Sequence, residues 1–217
     1  MVEAKERADS QEEFKDKNFL EEPAILDKYK AAALITNSAL IKVMGLCVPG
    51  ADIHYLCQEG DKHMEEELKK VFTNKKSKKL ERGIAFPTCI SVNNIFGHYS
   101  PFGDESSTLQ EGDIAKIDLG CHLDGFPAVA AHTIIVSADP KSTVTGKKAD
   151  VVLAAYHAFQ AAQRLIKEAG TNASVTEAIA KICEDFGVNP VEGVLSHKVK
   201  KHLIDGNDVI INKETPD

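Results

Sequence analysis

The chain predicts an α+β fold: two helices, a strand and a hairpin, two further helices and a closing strand, in that order. Three observations carry this reading. Apolar residues recur at helical spacing in four separate stretches. β-Branched and apolar residues crowd the short runs between them. Asp124-Gly125 supplies a two-residue turn joining two of those runs.

Residues 1–23 are polar and acidic with little apolar periodicity, and they predict a disordered arm ahead of one folded domain over 24–217. Pro23 introduces a helix from about Ala24 to Cys47, with Tyr29, Ala32, Ala33, Thr36 and Leu40 on one face and Val48-Pro49-Gly50 as its stop. Asp52 is placed to cap a second helix through Phe72, whose inner side carries Ile53, Leu56, Cys57 and Met64. A lysine-rich loop follows, from Asn74 to Arg82. Ile84 to Val92 reads as a strand, with Pro87 marking an edge or a bulge. Ile114 to Leu123 and Phe126 to Val136 form the hairpin. A helix from Lys147 to Glu168 sets Val152, Tyr156, Phe159 and Ile166 on one stripe, and another from Val175 to Phe186 presents Ile179, Ile182 and Cys183. Gly170 and Gly187 stand where C-terminal caps belong, and Val191 to Val199 reads as the last strand.

Composition narrows the class. A chain of 217 residues that is 43% hydrophobic and 27% charged suits one sizeable core. No apolar run reaches the ~18 residues a membrane span needs, and the N-terminus lacks the basic-then-apolar order of a secretory signal. Cysteines at 47, 57, 89, 121 and 183 show neither CxxC nor zinc spacing, which predicts reduced thiols in the cytosol or nucleus. A net charge of −7 argues against global affinity for nucleic acid, yet Lys75, Lys76, Lys78 and Lys79, with Arg82, form a local patch able to touch phosphates. A solvated loop is the plainer reading of the same run. No nucleophile elbow and no phosphate loop is present, and nothing around Cys89 lowers its pKa.

Several ordered blocks carry a family resemblance. Phe86-Pro87-Thr88-Cys89-Ile90-Ser91-Val92-Asn93-Asn94, His98-Tyr99-Ser100-Pro101, Leu109 to Asp113 and Lys116 to Thr133 resemble a type 2 methionine aminopeptidase of the pita-bread superfamily, peptidase family M24. Asp124-Gly125-Phe126, Ala131-His132-Thr133 and Gly193-Val194-Leu195-Ser196-His197 are similar to the non-catalytic eukaryotic branch, the proliferation-associated or ErbB3-binding proteins. The similarity runs from about Lys28 to the C-terminus. It implies a pita-bread fold of two pseudo-twofold halves, of which this chain supplies the N-terminal half and the start of the second. The family pattern continues past Thr215-Pro216-Asp217 into a strand leading to glutamate ligands, so the resemblance predicts a domain truncated at its C-terminal side.

The resemblance also assigns positions. Asp118 matches the peptidase's first bridging aspartate, His197 a metal-ligating histidine, and His98 the remaining active-site histidine. Val129 stands where the second bridging aspartate belongs, and valine has no donor atom. Asp205 replaces a substrate-contacting histidine. Asp113, His122, Asp124 and His132 surround the hairpin as a further set of metal-type residues, but the turn position of Asp124 and the surface character of Asp113 argue against a cluster. The resemblance thus implies a pseudo-enzyme with relic cleft positions, no catalytic residue, no metal and no other cofactor. Its implied partners are the large ribosomal subunit, other RNAs and proteins, met in the cytoplasm, nucleus and nucleolus, with the oligomeric state left open. The competing readings are a methionine aminopeptidase using metal as Lewis acid, and a metal-free hydrolase with His98 as general base.

Overall fold

A computed structural model describes residues 19–74, 79–139 and 141–215. Its α-helices are α1 (Pro23–Leu46), α2 (Ile53–Leu68), α3 (Lys147–Leu165) and α4 (Asn172–Asp185). Its strands are β1 (Arg82–Val92), β2 (Ile114–Leu123), β3 (Phe126–Ile135), β4 (Leu195–His197) and β5 (Val209–Ile211). The order agrees with the sequence reading except for β5, which pairs with β4 and is too short to show a period. The acidic arm expected over 1–23 lies outside the described residues except for a single 3₁₀ turn at Phe19–Glu21 and the start of α1. Among the described residues no helix is long and apolar enough to cross a membrane.

β1, β2 and β3 form an antiparallel sheet with β2 central. Leu123 pairs with Phe126 around Asp124 and Gly125, whose φ angles of 56° and 77° are those of a type I′ hairpin. The β1 register slips between Ile84 and Cys89, where Pro87 cannot donate to the ladder. Along β2, Ala115, Ile117, Leu119, Cys121 and Leu123 are each 0% exposed and alternate with half-buried Lys116, Asp118 and His122. The buried series packs under α1 and α2, which contribute Ile35, Ala39, Val43, Ile53, Leu56 and Met64 to one core spanning residues 32 to 136. Asp52 accepts the Tyr55 N–H at 2.8 Å and caps α2 as expected. Gly60 lets α2 lie close on β1, since a Cβ there would stand 2.4 Å from the Thr88 hydroxyl oxygen.

α3 and α4 pack on each other, and here two expectations are corrected. Tyr156, Phe159 and Ile166, three of the four residues of the expected apolar stripe, are 54%, 59% and 63% exposed. Ala154 and Ala158 are the buried positions instead, because the small alanine face permits close helix approach. Gly187, at φ 65°, closes α4 with the Val188 N–H donating to the Cys183 carbonyl at 2.9 Å. Gly170 lies beyond α3, whose C-cap is Ile166.

Candidate functional site

The sheet face turned away from the helices carries Lys116, Asp118, Gly120 and His122. Cys89 on β1 and Ala131 on β3 flank Asp118 in register, and Val129 sits opposite Gly120. Val129 is therefore a diagonal neighbour of Asp118 on the same face. It is 46% exposed, and a Cβ on Gly120 would fall 2.6 Å from its Cγ1. On this face Asp118 offers a carboxylate and Val129, diagonal to it, offers no donor atom.

His98 comes from the loop after β1. The Tyr99 N–H donates to Ser91 Oγ at 3.1 Å, and the Ile90 N–H donates to the Tyr99 carbonyl at 2.8 Å, which holds that loop alongside the strand. At φ 60° the His98 backbone turns left-handed, and its ring stands edge-on to Phe86 with centroids 5.4 Å apart. Burial pushes the Asp118 carboxyl above the ordinary carboxylate range, while the His98 imidazole and the Leu119 N–H pull it back. The Cys89 thiol is pushed up to about 11 by burial and by the Asp118 and Asp61 carboxylates, so it stays protonated and un-nucleophilic at neutral pH.

The structure brings Asp118 and His98 together and gives the other candidates separate duties. His197 is exposed on β4, its Nδ1 donating to the Gly206 carbonyl at 3.1 Å. Asp205 and His132 are exposed. Asp113 accepts from Asn93 Nδ2 and from the Gln110 N–H, both at 2.8 Å, and so shapes the loop before β2. Asp124 is ion-paired with Lys28, with Lys201 at 3.7 Å, and both ammonium groups lie 5.2 Å from the Phe126 ring centre. Among the described residues no group of three or more His, Cys, Asp or Glu side chains is placed to hold a metal. Two-metal sites hold their ions about 3.5–4 Å apart between several oxygen donors, and of positions 118 and 129 only Asp118 offers one.

Lys75, Lys76 and Lys78 lie outside the described residues, and Lys79 is exposed. Arg82, expected as part of the same patch, is half-buried. Its guanidinium donates to the carbonyls of Leu68 and Phe72 at 3.3 Å and of Val71 at 3.1 Å, closing the C-terminal end of α2. Three of its hydrogen bonds thus go to backbone carbonyls at and just after the end of α2. Lys69 and Lys70, absorbed into a helix by the sequence reading, are exposed just beyond α2, with Lys70 paired to Glu67 at 2.6 Å.

Comparison with known proteins places these observations in a family. The pattern of metallopeptidase family M24 matches residues 27–215. The chain is 48% identical over 197 residues to proliferation-associated protein A of Dictyostelium discoideum, covering 91% of this chain and 51% of that protein. It is 46% identical over 198 residues to the ERBB-3 binding protein 1 of Arabidopsis thaliana, covering 91% and 50%. A solved structure of a thermophilic Arx1 superposes with a TM-score of 0.77 at 29% identity, covering 89% of this chain and 57% of that one. The chain spans about half the length of the curated relatives it matches.

Proposed function

The chain belongs to metallopeptidase family M24 and carries its pita-bread fold, and on that premise we propose that it is a non-catalytic member that binds RNA and the large ribosomal subunit. Its work is then in ribosome biogenesis, translation and growth regulation, in the cytoplasm and the nucleus with its nucleolus, through RNA and protein surfaces. The observation that carries the non-catalytic part is Val129, a donor-less side chain diagonal to Asp118 on the exposed sheet face. The likeness to proliferation-associated and ERBB-3 binding proteins supports the regulatory reading. For RNA contact the support is the lysine run at 75, 76, 78 and 79, with Arg82 close by in sequence.

The test is co-sedimentation with large ribosomal subunits across a salt series, for the natural chain and for a variant with the four lysines changed to glutamate. Saturable binding should weaken steeply with salt, and the variant should lose about four phosphate contacts, flattening the logarithmic salt slope by roughly 3. A binding curve untouched by the lysine changes would move the contact elsewhere. Methionine release from a peptide in the presence of added Mn²⁺ or Co²⁺ would sink the non-catalytic reading.

A further inference from the structure

The turn of the hairpin meets the segment after β4 across a cavity of about 210 Å³, with His122 on one wall and His202 on the other. Gly125 lies between them. The His202 backbone N–H donates to the Gly125 carbonyl at 2.7 Å, and the His202 ring lies so close that a Cβ at 125 would stand 2.4 Å from it. From the other side, the Gly125 N–H donates to His122 Nδ1 at 3.2 Å. Both backbone polar groups of one turn residue are thus taken up by two histidines.

Accepting that bond fixes the His122 tautomer: Nδ1 bears a lone pair, and the ring proton sits on Nε2. A second proton on Nδ1 would set N–H against N–H. We infer that the His122–Gly125–His202 contact is a proton-operated latch, closed at neutral pH and released in mild acid when His122 takes up that proton. Release would detach the segment around His202 from the hairpin turn and open the cavity between them.

The charges facing His122 come from each element packed around it. Glu81, just before β1, and Asp124 on the turn favour a protonated ring, while His202 from the opposing segment disfavours it. Asp124 is itself engaged by Lys28 of α1 and by Lys201. Burial outweighs the carboxylates and holds the His122 imidazole below the usual histidine range. The closed state therefore prefers neutral His122, so closure is complete above about pH 6.5, the ordinary value regained on opening, and weakens as pH falls below it.

Amide hydrogen exchange, read residue by residue by NMR between pH 8 and 5.5 and corrected for intrinsic rates, tests the latch. Protection of the His202 amide should fall severalfold as pH drops from about 6.5 to about 5.5, while core amides of Ile117 and Leu119 keep theirs. In His122→Gln, whose amide oxygen accepts from Gly125 without titrating, His202 protection should stay flat. The latch is overturned by unchanged His202 protection in the natural chain, by the same acid loss in His122→Gln, or by parallel loss in the core. A measurement needing no variant is the ring titration: His122 must titrate below the ordinary histidine value of about 6.5, and a midpoint at or above it rejects the proposal.

Discussion

Asp118 is a carboxylate kept in a half-buried place beside an imidazole, a thiol and hydrocarbon. Because burial raises its pKa above the unfolded value, folding favours the protonated form. The native state therefore loses stability as pH rises from about 4 through the raised folded value. Asp118→Asn removes that cost. It should raise the melting temperature at pH 7 by about 2–4 °C, the equivalent of roughly 1 kcal/mol, with the difference vanishing near pH 3, as melts at the two pH values would show. An unchanged or lowered melting temperature at pH 7 would mean that Asp118 is satisfied as an anion. At this scale the sequence is unevenly legible. Val129 can be read directly, because the absence of a donor atom needs no geometry to interpret. Arg82 cannot, because a run of basic residues does not reveal which of them turns inward onto carbonyls.

Elements with strong periodicity are legible in the sequence, and the reasons are local. α1, α2 and the hairpin carry caps and turns whose chemistry is written in adjacent residues: Pro23, Asp52 and Asp124-Gly125. α3 is recognisable as a helix but not in its orientation, since periodicity shows that a stripe exists and not which neighbour it meets. Two glycines make the role of packing measurable. Gly45, near the end of α1, has open space around it, with nothing within 4 Å of where a Cβ would stand, so Gly45→Ala should gain about 0.5–1 kcal/mol from helix propensity. Gly60 in α2 would meet the Thr88 hydroxyl at 2.4 Å. There the overpacking cost of about 1–3 kcal/mol exceeds the propensity gain, and Gly60→Ala should lower the urea midpoint. Equal shifts of the same sign in both variants would refute the helix-against-strand account.

Across the whole molecule, stability is concentrated in the α1–α2–sheet layer. Every member of the principal core cluster comes from residues 32 to 136, whereas α3 and α4 bury few large side chains and present Leu153, Tyr156 and Phe159 outward. Native-state hydrogen exchange should therefore find its slowest amides in β2 and α1, with α3 and α4 opening at lower free energy. Uniform protection over the two regions would show that they unfold together. This division is only partly legible in the sequence, because composition is similar along the chain and the outcome depends on which surfaces find a partner.

The valine at 129 has a consequence in the language of the genetic code. Every valine codon becomes an aspartate or glutamate codon through a change at its middle base, so a second carboxylate on this face is a single mutational step away. That step would set two like charges on neighbouring positions of one sheet face, a destabilising arrangement unless a cation arrives to neutralise them. The chain thus lies one base change from a two-carboxylate neighbour in sequence space, and the like-charge cost predicts that the valine form folds the more stably wherever no cation is bound.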